Sequence, residues 1–460
     1  MKNMHRSARA HAVLALTARR ASAGLIGLGL LVCSPVWSMD LKQAYEAAVV
    51  NDANIRASRA GAAAGRESLP QAQAQRLPSV NFSASRNYND LESKSQDFLG
   101  RPTRAENQYY SDNQVLSVRQ PLYRPLLNAQ VRQAQARSDE ADAALERDEQ
   151  SLVVRVGEAY FDALLAQDQL LLTAAQKKTY GVQLEAAGRG LTAGSGTRTD
   201  VDEAQARLDL ALAQELEALQ NVDFTRRRLE VLTGQPVQTL VPLDVLRFRP
   251  HSPEPGSVQA WIERAEQSSP ELQALRAQLQ AAQQEIDKAQ AGHKPTLDAV
   301  VQWSRSNSDS VTSVNSRFEN KSIGLQLNVP LYSGGFVNST VRQAVASRER
   351  VRETLEAATR DLGVRVHQEF RGMTEGTLRV AALEQAVRSA EQAVLSNQRS
   401  FLAGARTTVD VLNAEQQKTF AQRDLAQARY RYLVAQLRLQ SLAGQDRQAS
   451  IAQVSSALAP

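Results

Sequence analysis

Two similar short segments constrain the fold of this chain more than any other feature of its sequence. Residues 193–201 read Ala-Gly-Ser-Gly-Thr-Arg-Thr-Asp-Val, and residues 403–411, which lie 210 positions later, read Ala-Gly-Ala-Arg-Thr-Thr-Val-Asp-Val. Each segment separates two long runs with helical periodicity. Glycine supplies the left-handed conformation that ends a helix, and Thr or Asp before an apolar run starts the next one. We therefore predict that each segment is the tip of a long helical hairpin.

The spacing of 210 residues holds along both halves of the chain and indicates an internal duplication. Val-Arg-Gln-Ala at 131–134 recurs at 341–344, and Val-Arg-Val at 154–156 recurs at 364–366. The predicted domains are a signal peptide at 1–38, a first repeat at 39–234 with its tip near 189–200, an extended insert at 235–257, a second repeat at 258–444 with its tip near 401–410, and a loose C-terminal tail at 445–460.

The N-terminal residues have the features of a secretory signal peptide. Basic residues precede an apolar run from Ala21 to Cys33 that is too short to span a bilayer, and Val36-Trp37-Ser38 predicts cleavage before Met39. The alternative is a lipoprotein signal with Cys33 acylated, although Val32 stands where such signals have a small residue. Cleavage would remove five basic residues and the only cysteine from a chain of formal net charge +5. The mature chain would then be near neutral, which gives no support for nucleic-acid binding.

Four segments alternate between apolar and polar residues, as β-strands with one apolar face do. The predicted strands begin near Val80, near Tyr109, at Leu297 and at Ile323, the last reaching Leu331, and polar loops are predicted at 91–107 and 304–320. Pro121 and Pro330 mark the two junctions from strand to helix. Each strand is about 10 residues long, which is the length that crosses the hydrocarbon layer when tilted.

The remaining segments predict long helices, at 41–76, 126–187, 200–232, 258–293, 338–402 and 409–442. The two helices that return from the tips carry a mostly apolar seam with steps of 3 and 4, which indicates left-handed coiled coils. The seam positions are Val201, Ala204, Leu208, Ala211, Glu215, Ala218, Val222, Thr225, Leu229 and Leu232 in the first repeat, and Val411, Ala414, Lys418, Ala421, Leu425, Ala428, Tyr432, Ala435, Leu439 and Leu442 in the second.

These elements predict an α+β membrane protein in which a long α-helical coiled-coil barrel joins a transmembrane β-barrel. One chain offers only four strands, and four strands cannot close a barrel. Open strand edges are not tolerated in lipid, and even the smallest closed barrels have about eight strands. We therefore expect the β-barrel to be shared between subunits, each contributing four strands from two tandem repeats.

The chain resembles TolC-type outer-membrane channels of type I secretion and tripartite efflux systems. The resemblance covers about residues 40–445 and rests on the duplicated pattern, on the tip Phe-Leu-Ala-Gly-Ala-Arg-Thr-Thr-Val-Asp-Val-Leu at 401–412, and on Leu-Thr-Gly-Gln and Leu-Ala-Gly-Gln at the ends of the repeats. It implies a passive export channel, trimeric in the outer membrane of a Gram-negative bacterium, with a tunnel that extends into the periplasm. The implied partners are outer-membrane lipid, a periplasmic adaptor protein and an inner-membrane ABC or proton-driven pump.

The resemblance also assigns roles to residues of the tips, which form the periplasmic entrance in the family. Arg406 matches the arginine that links hairpins, Thr199 and Asp200 match its partners, and Asp410 matches the first acid of a charged ring. Without the resemblance, the same aspartates would be helix caps and Arg406 a solvated loop charge.

Two positions of the second tip depart from the family pattern. Phe401 stands where the best-known member has Tyr, so a hydroxyl link would be missing. Asn413 stands where that member has a second acid, so one acidic ring would be absent and the block of the channel by cations weaker.

The sequence gives little support for other functional classes. His251, His293 and His367 show no metal-ligand spacing, and no Gly-rich phosphate loop follows a strand. We therefore predict no enzymatic activity, cofactor or metal. The alternative function is a non-conducting periplasmic coiled-coil adaptor or scaffold, which would have no need of strands with a lipid-facing side.

Overall fold

The computed structural model describes residues 38–308 and 315–459, so residues 1–37 of the predicted signal peptide lie outside the described residues. The helices are α1 Leu41–Asn51, α2 Ala53–Arg66, α3 Ser68–Ala74, α4 Pro125–Thr192, α5 Arg198–Thr233, α6 Val258–Ser268, α7 Pro270–Gln290, α8 Phe336–Leu402, α9 Thr408–Leu442 and α10 Arg447–Ser455, and a 3-10 turn covers Ala291–His293. The strands are β1 Ser79–Gln96, β2 Pro102–Tyr123, β3 Thr296–Asn307 and β4 Arg317–Asn328.

Two very long helices dominate the structure, as the sequence predicts. Helices α4 and α8 have 68 and 67 residues, which corresponds to about 100 Å each. Gly194 and Gly404 lie in the turns that follow these helices, with φ of +73° and +74°, and the chain then returns through α5 and α9. Every predicted seam position of α5 and α9 is buried or half-buried, so the seams are the packed faces of these helices.

Helix α9 packs against α8, α4, α10 and α5, so it contacts helices of both repeats. Its second buried face includes Leu433 and Leu437, which are 2% and 1% exposed. Gly157 of α4 lies directly against this face, because a Cβ atom at this position would be 2.3 Å from Leu437 Cδ1. The absence of a side chain at Gly157 therefore allows α4 and α9 to approach closely.

The segment 41–76, predicted as a single helix, is divided into three. Asp52 causes the first break, because its carboxylate accepts hydrogen bonds from the backbone N–H groups of Asn54 at 2.6 Å and Ile55 at 3.1 Å. The other carboxylate oxygen accepts from Arg155 at 2.9 Å. An aspartate that binds the first N–H groups of a helix starts a new helix. In the second repeat, Pro270 likewise begins α7 directly after the end of α6.

The four strands form one antiparallel sheet in the order β1-β2-β3-β4. The register aligns Val80 with Val118, Val118 with Val301 and Val301 with Ile323, so one apolar row crosses all four strands. Because side chains alternate between the two faces, the register gathers the apolar residues on one face and Ser, Asn and Gln on the other. Residues of the apolar face are Val80, Phe82, Leu116, Val118, Leu297, Ala299, Val301, Trp303, Ile323, Leu325 and Leu327.

The predicted loop at 91–107 is wrong, because β1 and β2 continue through it as a long hairpin. Polar side chains stabilise the extension across the strands, as in the 2.9 Å hydrogen bond between the hydroxyls of Ser95 and Thr103. The turn is ordered by Asp97, whose carboxylate accepts from the backbone and the guanidinium of Arg101 at 2.8 and 3.1 Å. Apolar and polar residues do not alternate in this extension, and most of its side chains are exposed on both faces, so it carries no periodic signal of a strand.

The second predicted loop, at 304–320, is also shorter than expected. Strand β3 reaches Asn307 and β4 begins at Arg317, while residues 309–314 lie outside the described residues. Strand β4 ends at Asn328 and does not reach Leu331, because Pro330 cannot donate a hydrogen bond to a neighbouring strand.

The loose C-terminal tail predicted at 445–460 is wrong. Its central part is helix α10, and Ile451, Val454 and Leu458 are each 1% exposed within the main hydrophobic core. Arg447 joins this helix to α4 through ion pairs with Glu146 at 2.5 Å and Glu149 at 2.9 Å. The segment is too short to show a clear helical period in the sequence. Its few apolar residues are the ones that pack into the core.

The insert at 235–257 forms no helix and lies against the N-terminal residues. Met39 donates a backbone hydrogen bond to Thr239 at 2.9 Å and accepts one from Val241 at 3.2 Å. The hydroxyl of the buried Tyr160 on α4 lies 3.0 Å from the carbonyl oxygens of both Met39 and Val241. Burial raises the pKa of Tyr160, so this hydroxyl stays protonated and holds the insert against α4.

Candidate functional site: the hairpin tips and the sheet

The first tip is closed by a reciprocal cap between Thr197 and Asp200. The Thr197 hydroxyl accepts from the backbone N–H of Asp200 at 3.2 Å, and the Asp200 carboxylate accepts from the backbone N–H of Thr197 at 3.0 Å. This capping box satisfies two N–H groups that the first turn of α5 leaves free. Arg198 points along the helix and pairs with Asp202 at 3.0 Å.

The second tip repeats this arrangement 210 residues later. The Thr407 hydroxyl accepts from the backbone N–H of Asp410 at 3.3 Å, and the Asp410 carboxylate accepts from the backbone N–H of Thr407 at 2.9 Å. Arg406 lies beside the cap, with its Nη1 atom 3.5 Å from Asp410 Oδ1. The side chain of Arg406 is 57% exposed, so this pair contributes little to the stability of the tip.

The caps shift the acidity of both aspartates in the same direction. Hydrogen bonds from the hydroxyl and the backbone of Thr197 lower the pKa of Asp200. The backbone and hydroxyl of Thr407 lower the pKa of Asp410 in the same way. Both carboxylates are therefore ionised at neutral pH, so each tip presents a fixed negative charge.

The structure brings some of the predicted entrance residues together and keeps others apart. Asp200 of the first tip lies near Thr408 of the second, whose hydroxyl makes a small contribution to the lowered pKa of Asp200. Arg406 pairs with Asp410 of its own tip within the described chain, so its predicted link to Asp200 stays a prediction for the assembled channel. Thr199 is exposed to solvent. Phe401 is 38% exposed, and its carbonyl accepts the backbone N–H of Gly404.

Asn413 has a partner that the sequence analysis missed. Arg207 of α5 donates from Nη2 to Asn413 Oδ1 at 2.9 Å and from Nη1 to the side-chain oxygen of Gln416. Its Nε atom donates to Glu203 at 2.9 Å, one turn earlier on the same helix. The spacing of Glu203 and Arg207 is visible in the sequence as an i,i+4 pair, but the amide partners on α9 depend on how the two hairpins pack.

A small apolar cluster lies beside this polar contact. It is formed by Tyr180 of α4, Ala204 and Ala211 of α5, and Leu412 of α9. Ala204 and Leu412 are fully buried. Since Leu412 belongs to the second hairpin and the other members belong to the first, the cluster holds the two hairpins together close to their tips.

At the opposite end of the long helices, the sheet exposes its apolar face. Ile323, Leu325 and Leu327 are 84%, 70% and 64% exposed on β4. Tyr88 of β1 and Tyr110 of β2 lie on the same face, nearer to the turn of the long β-hairpin, with their rings 5.3 Å apart. An apolar band flanked by aromatic residues is the pattern of strands that face lipid.

The two junctions between strand and helix differ in the contacts and residues that form them. At the first, β2 continues through Pro121, and Arg124 forms a bidentate ion pair with Asp298 of β3, with Nε 2.7 Å from Oδ1. At the second, Pro330 follows β4, and Gly334 and Gly335 both have positive φ before α8 begins. The first junction is therefore fixed by a charged contact, whereas the second depends on glycine.

In residues 38–308 and 315–459, no cluster of His, Cys, Asp and Glu side chains has the arrangement of a metal site. Within the same ranges, no helix combines the length and the apolar character that a membrane crossing requires.

Comparisons with known proteins agree with this geometry. The family model "Outer membrane efflux protein" matches residues 44–235 and 261–445. Alkaline protease secretion protein AprF of Pseudomonas aeruginosa is 34% identical over 434 residues, which cover 93% of this chain and 89% of AprF. Proteases secretion protein PrtF of Dickeya chrysanthemi is 33% identical over 410 residues, which cover 88% of each chain.

The fold is also similar to that of solved outer-membrane proteins. The structure of the outer membrane protein VceC of Vibrio cholerae superposes with a TM-score of 0.73 at 19% identity, and the match covers 88% of this chain and 96% of VceC. The named relatives are secretion and membrane proteins rather than enzymes. The family match, the lipid-facing strands and the long helical hairpins together show that the chain belongs to the outer membrane efflux protein family and is an outer-membrane export channel that extends into the periplasm.

Proposed function

We propose that the working channel is a homotrimer with a continuous, shared β-barrel. The observation that carries this proposal is the four-stranded sheet, in which β1 and β4 are the two edge strands beside an exposed apolar face. Lipid offers no hydrogen-bond partner for such edges, so strands of other copies must supply them. Two copies would reach the minimum of about eight strands, and the resemblance to trimeric channels favours three.

We further infer that the channel is the passive exit duct of a type I secretion system, working with a periplasmic adaptor and an inner-membrane pump. AprF and PrtF are named for the secretion of proteases, which favours a secreted protein as the cargo of this chain. Efflux of small molecules is the second candidate, because the matching family is described by efflux.

The oligomeric state tests the shared barrel directly. The mature chain, purified from outer membranes in detergent, should have the mass of three protomers by native mass spectrometry and should form channels in planar lipid bilayers. A stable, water-soluble monomer obtained without detergent would contradict the proposal. Secretion and efflux are separated in a deletion strain, where loss of an exported protein or increased drug sensitivity would identify the cargo.

We propose that the two tips form the gate at the periplasmic entrance. The residues assigned to this gate are Thr199, Asp200, Phe401, Arg406, Asp410 and Asn413. The exposed guanidinium of Arg406 supports this role, because its weak pair with Asp410 leaves N–H groups available for a carboxylate on another hairpin. Each exposed pair is worth only about 0–1 kcal/mol, so several copies could hold a closed state that a partner protein overcomes.

Substitution Arg406→Ala tests this gate. We expect the single-channel conductance in planar bilayers to rise, because each subunit loses a donor that holds the hairpins together. Arg388→Ala is the matched control, since Arg388 is also exposed but lies within α8, away from the tip. Equal conductance of the two variants and the wild type would show that Arg406 does not help to hold the gate closed.

A further inference from the structure

One side chain connects the two hairpins of the same subunit just above their tips. Arg207 extends from α5 and reaches two amide oxygens on α9, those of Asn413 and Gln416. These acceptors lie three residues apart and therefore on the same face of α9. The planar guanidinium can donate to both at once, which a lysine in its place could not do with the same geometry.

The surroundings of Arg207 hold it in this conformation. Glu203 accepts from Nε at 2.9 Å, which leaves the two terminal nitrogens directed at α9. The side chain of Arg207 is 20% exposed, whereas Arg198 on the same helix is 77% exposed and pairs with Asp202 within α5. Arg207 is thus a pre-oriented contact between hairpins, and Arg198 belongs to the surface of a single helix.

The polar contact lies beside the apolar cluster that joins the hairpins. Ala204, one turn before Arg207, and Leu412, next to Asn413, are both fully buried. Any movement of α9 away from α5 must therefore break the hydrogen bonds of Arg207 and withdraw Leu412 from its site.

We propose that Arg207 is a latch that holds the entrance closed by fastening α9 to α5, a role that rests on the gate proposed above. Both acceptors are neutral amides, and Arg207 keeps its carboxylate partner Glu203 when α9 leaves. Opening therefore breaks two hydrogen bonds without leaving an unpaired charge. For this reason the latch can open and close reversibly. One of its acceptors is Asn413, the residue that stands where the best-known family member has the second acid of the charged ring.

Single-channel recording of the full mature protein tests the latch. In Arg207→Ala we expect the ratio of open to closed time to rise about tenfold or more, because hydrogen bonds to a charged group are lost in every subunit. Arg227→Ala removes the same charge from the same helix far from the tips, where Arg227 is 72% exposed and pairs with Glu230 within α5, and it should match the wild type. Unchanged oligomeric mass and thermal midpoint in both variants would show that the fold is retained.

A second variant separates a latch from a merely structural contact. Asn413→Asp turns one acceptor into a carboxylate, which should bind Arg207 more strongly and lengthen the closed times. This lengthening should disappear in the double variant Arg207→Ala/Asn413→Asp. A wild-type protein that forms no channels would overturn the proposed function and the latch together. Channels that behave alike in Arg207→Ala, Arg227→Ala and the wild type would overturn the latch alone.

Discussion

At the scale of single residues, the tips are organised by two threonine–aspartate caps. Thr197 with Asp200, and Thr407 with Asp410, each exchange hydrogen bonds between side chain and backbone. A cap of this kind stabilises the first turn only while the aspartate can accept from a backbone N–H, so its strength depends on the charge of the carboxylate. The tips should therefore respond to acid as a pair.

The lowered pKa values of Asp200 and Asp410 predict the direction of this response. A carboxyl group whose pKa falls on folding adds stability above its unfolded pKa, and this stability is lost as the pH falls through the lowered value. Amide hydrogen exchange, corrected for the intrinsic rate, should show protected tips at about pH 5 and increased opening below the ordinary aspartate pKa of 3.8. Asp200→Asn/Asp410→Asn should abolish the difference, and protection of the wild type that is independent of pH would refute this explanation.

At the scale of elements, the close approach of α4 and α9 depends on one glycine. Gly157 faces the buried Leu437, whereas Gly181, on the same helix, has no atom within 4 Å of the position of a Cβ atom. Both glycines have helical backbone conformation, and they differ in whether another side chain occupies the space beside them. They therefore separate the effect of packing from the effect of helix propensity.

Substitution of each glycine by alanine should change stability in opposite directions. Gly157→Ala forces Leu437 out of a filled core, which should lower the free energy of unfolding by about 1–3 kcal/mol. Gly181→Ala should raise it by about 0.5–1 kcal/mol, because alanine loses less backbone entropy in a helix. Denaturant unfolding of the detergent-solubilised protein measures both values, and a stabilising Gly157→Ala would show that the helices can separate without cost.

At the scale of the whole molecule, α10 fastens the end of the chain to its core. Ile451, Val454 and Leu458 are buried among residues of α1, α4 and α9, and Arg447 adds ion pairs to α4. The last helix therefore contributes to the packing of helices from both repeats.

Truncation of one of these anchors should destabilise the molecule as a whole. Ile451→Ala should cost about 2–5 kcal/mol, as expected for a fully buried large-to-small change. Gln448→Ala, on the exposed side of the same helix, should remain within about 0.5 kcal/mol of the wild type. Thermal denaturation compares the two variants, and a midpoint for Ile451→Ala equal to that of Gln448→Ala would mean that α10 is dispensable.

The sequence predicts the large elements of this fold well, because they repeat and have long periods. The hairpin tips, the seams of α5 and α9 and the four strands follow from glycine placement and from periods of 3.5 and 2. The extension of β1 and β2 and the helix α10 could not be predicted, because polar cross-strand pairs and three scattered anchors leave no periodic signal. Arg207 was missed because its partners are 206 and 209 residues away and are brought close only by tertiary packing.

The unequal lengths of the two β-hairpins have a consequence for the cell surface. Pairing between β1 and β2 continues from Asn87–Ser111 to Gln96–Pro102, beyond the last β2–β3 pair at Asp112–Asn307. In each copy the β1–β2 hairpin thus extends about 30 Å beyond the last β2–β3 pair, and Phe98, which is 95% exposed, lies at its turn. Because this hairpin lies at the end of the sheet away from the long helices, we expect it to face the outside of the cell and to be accessible to antibodies.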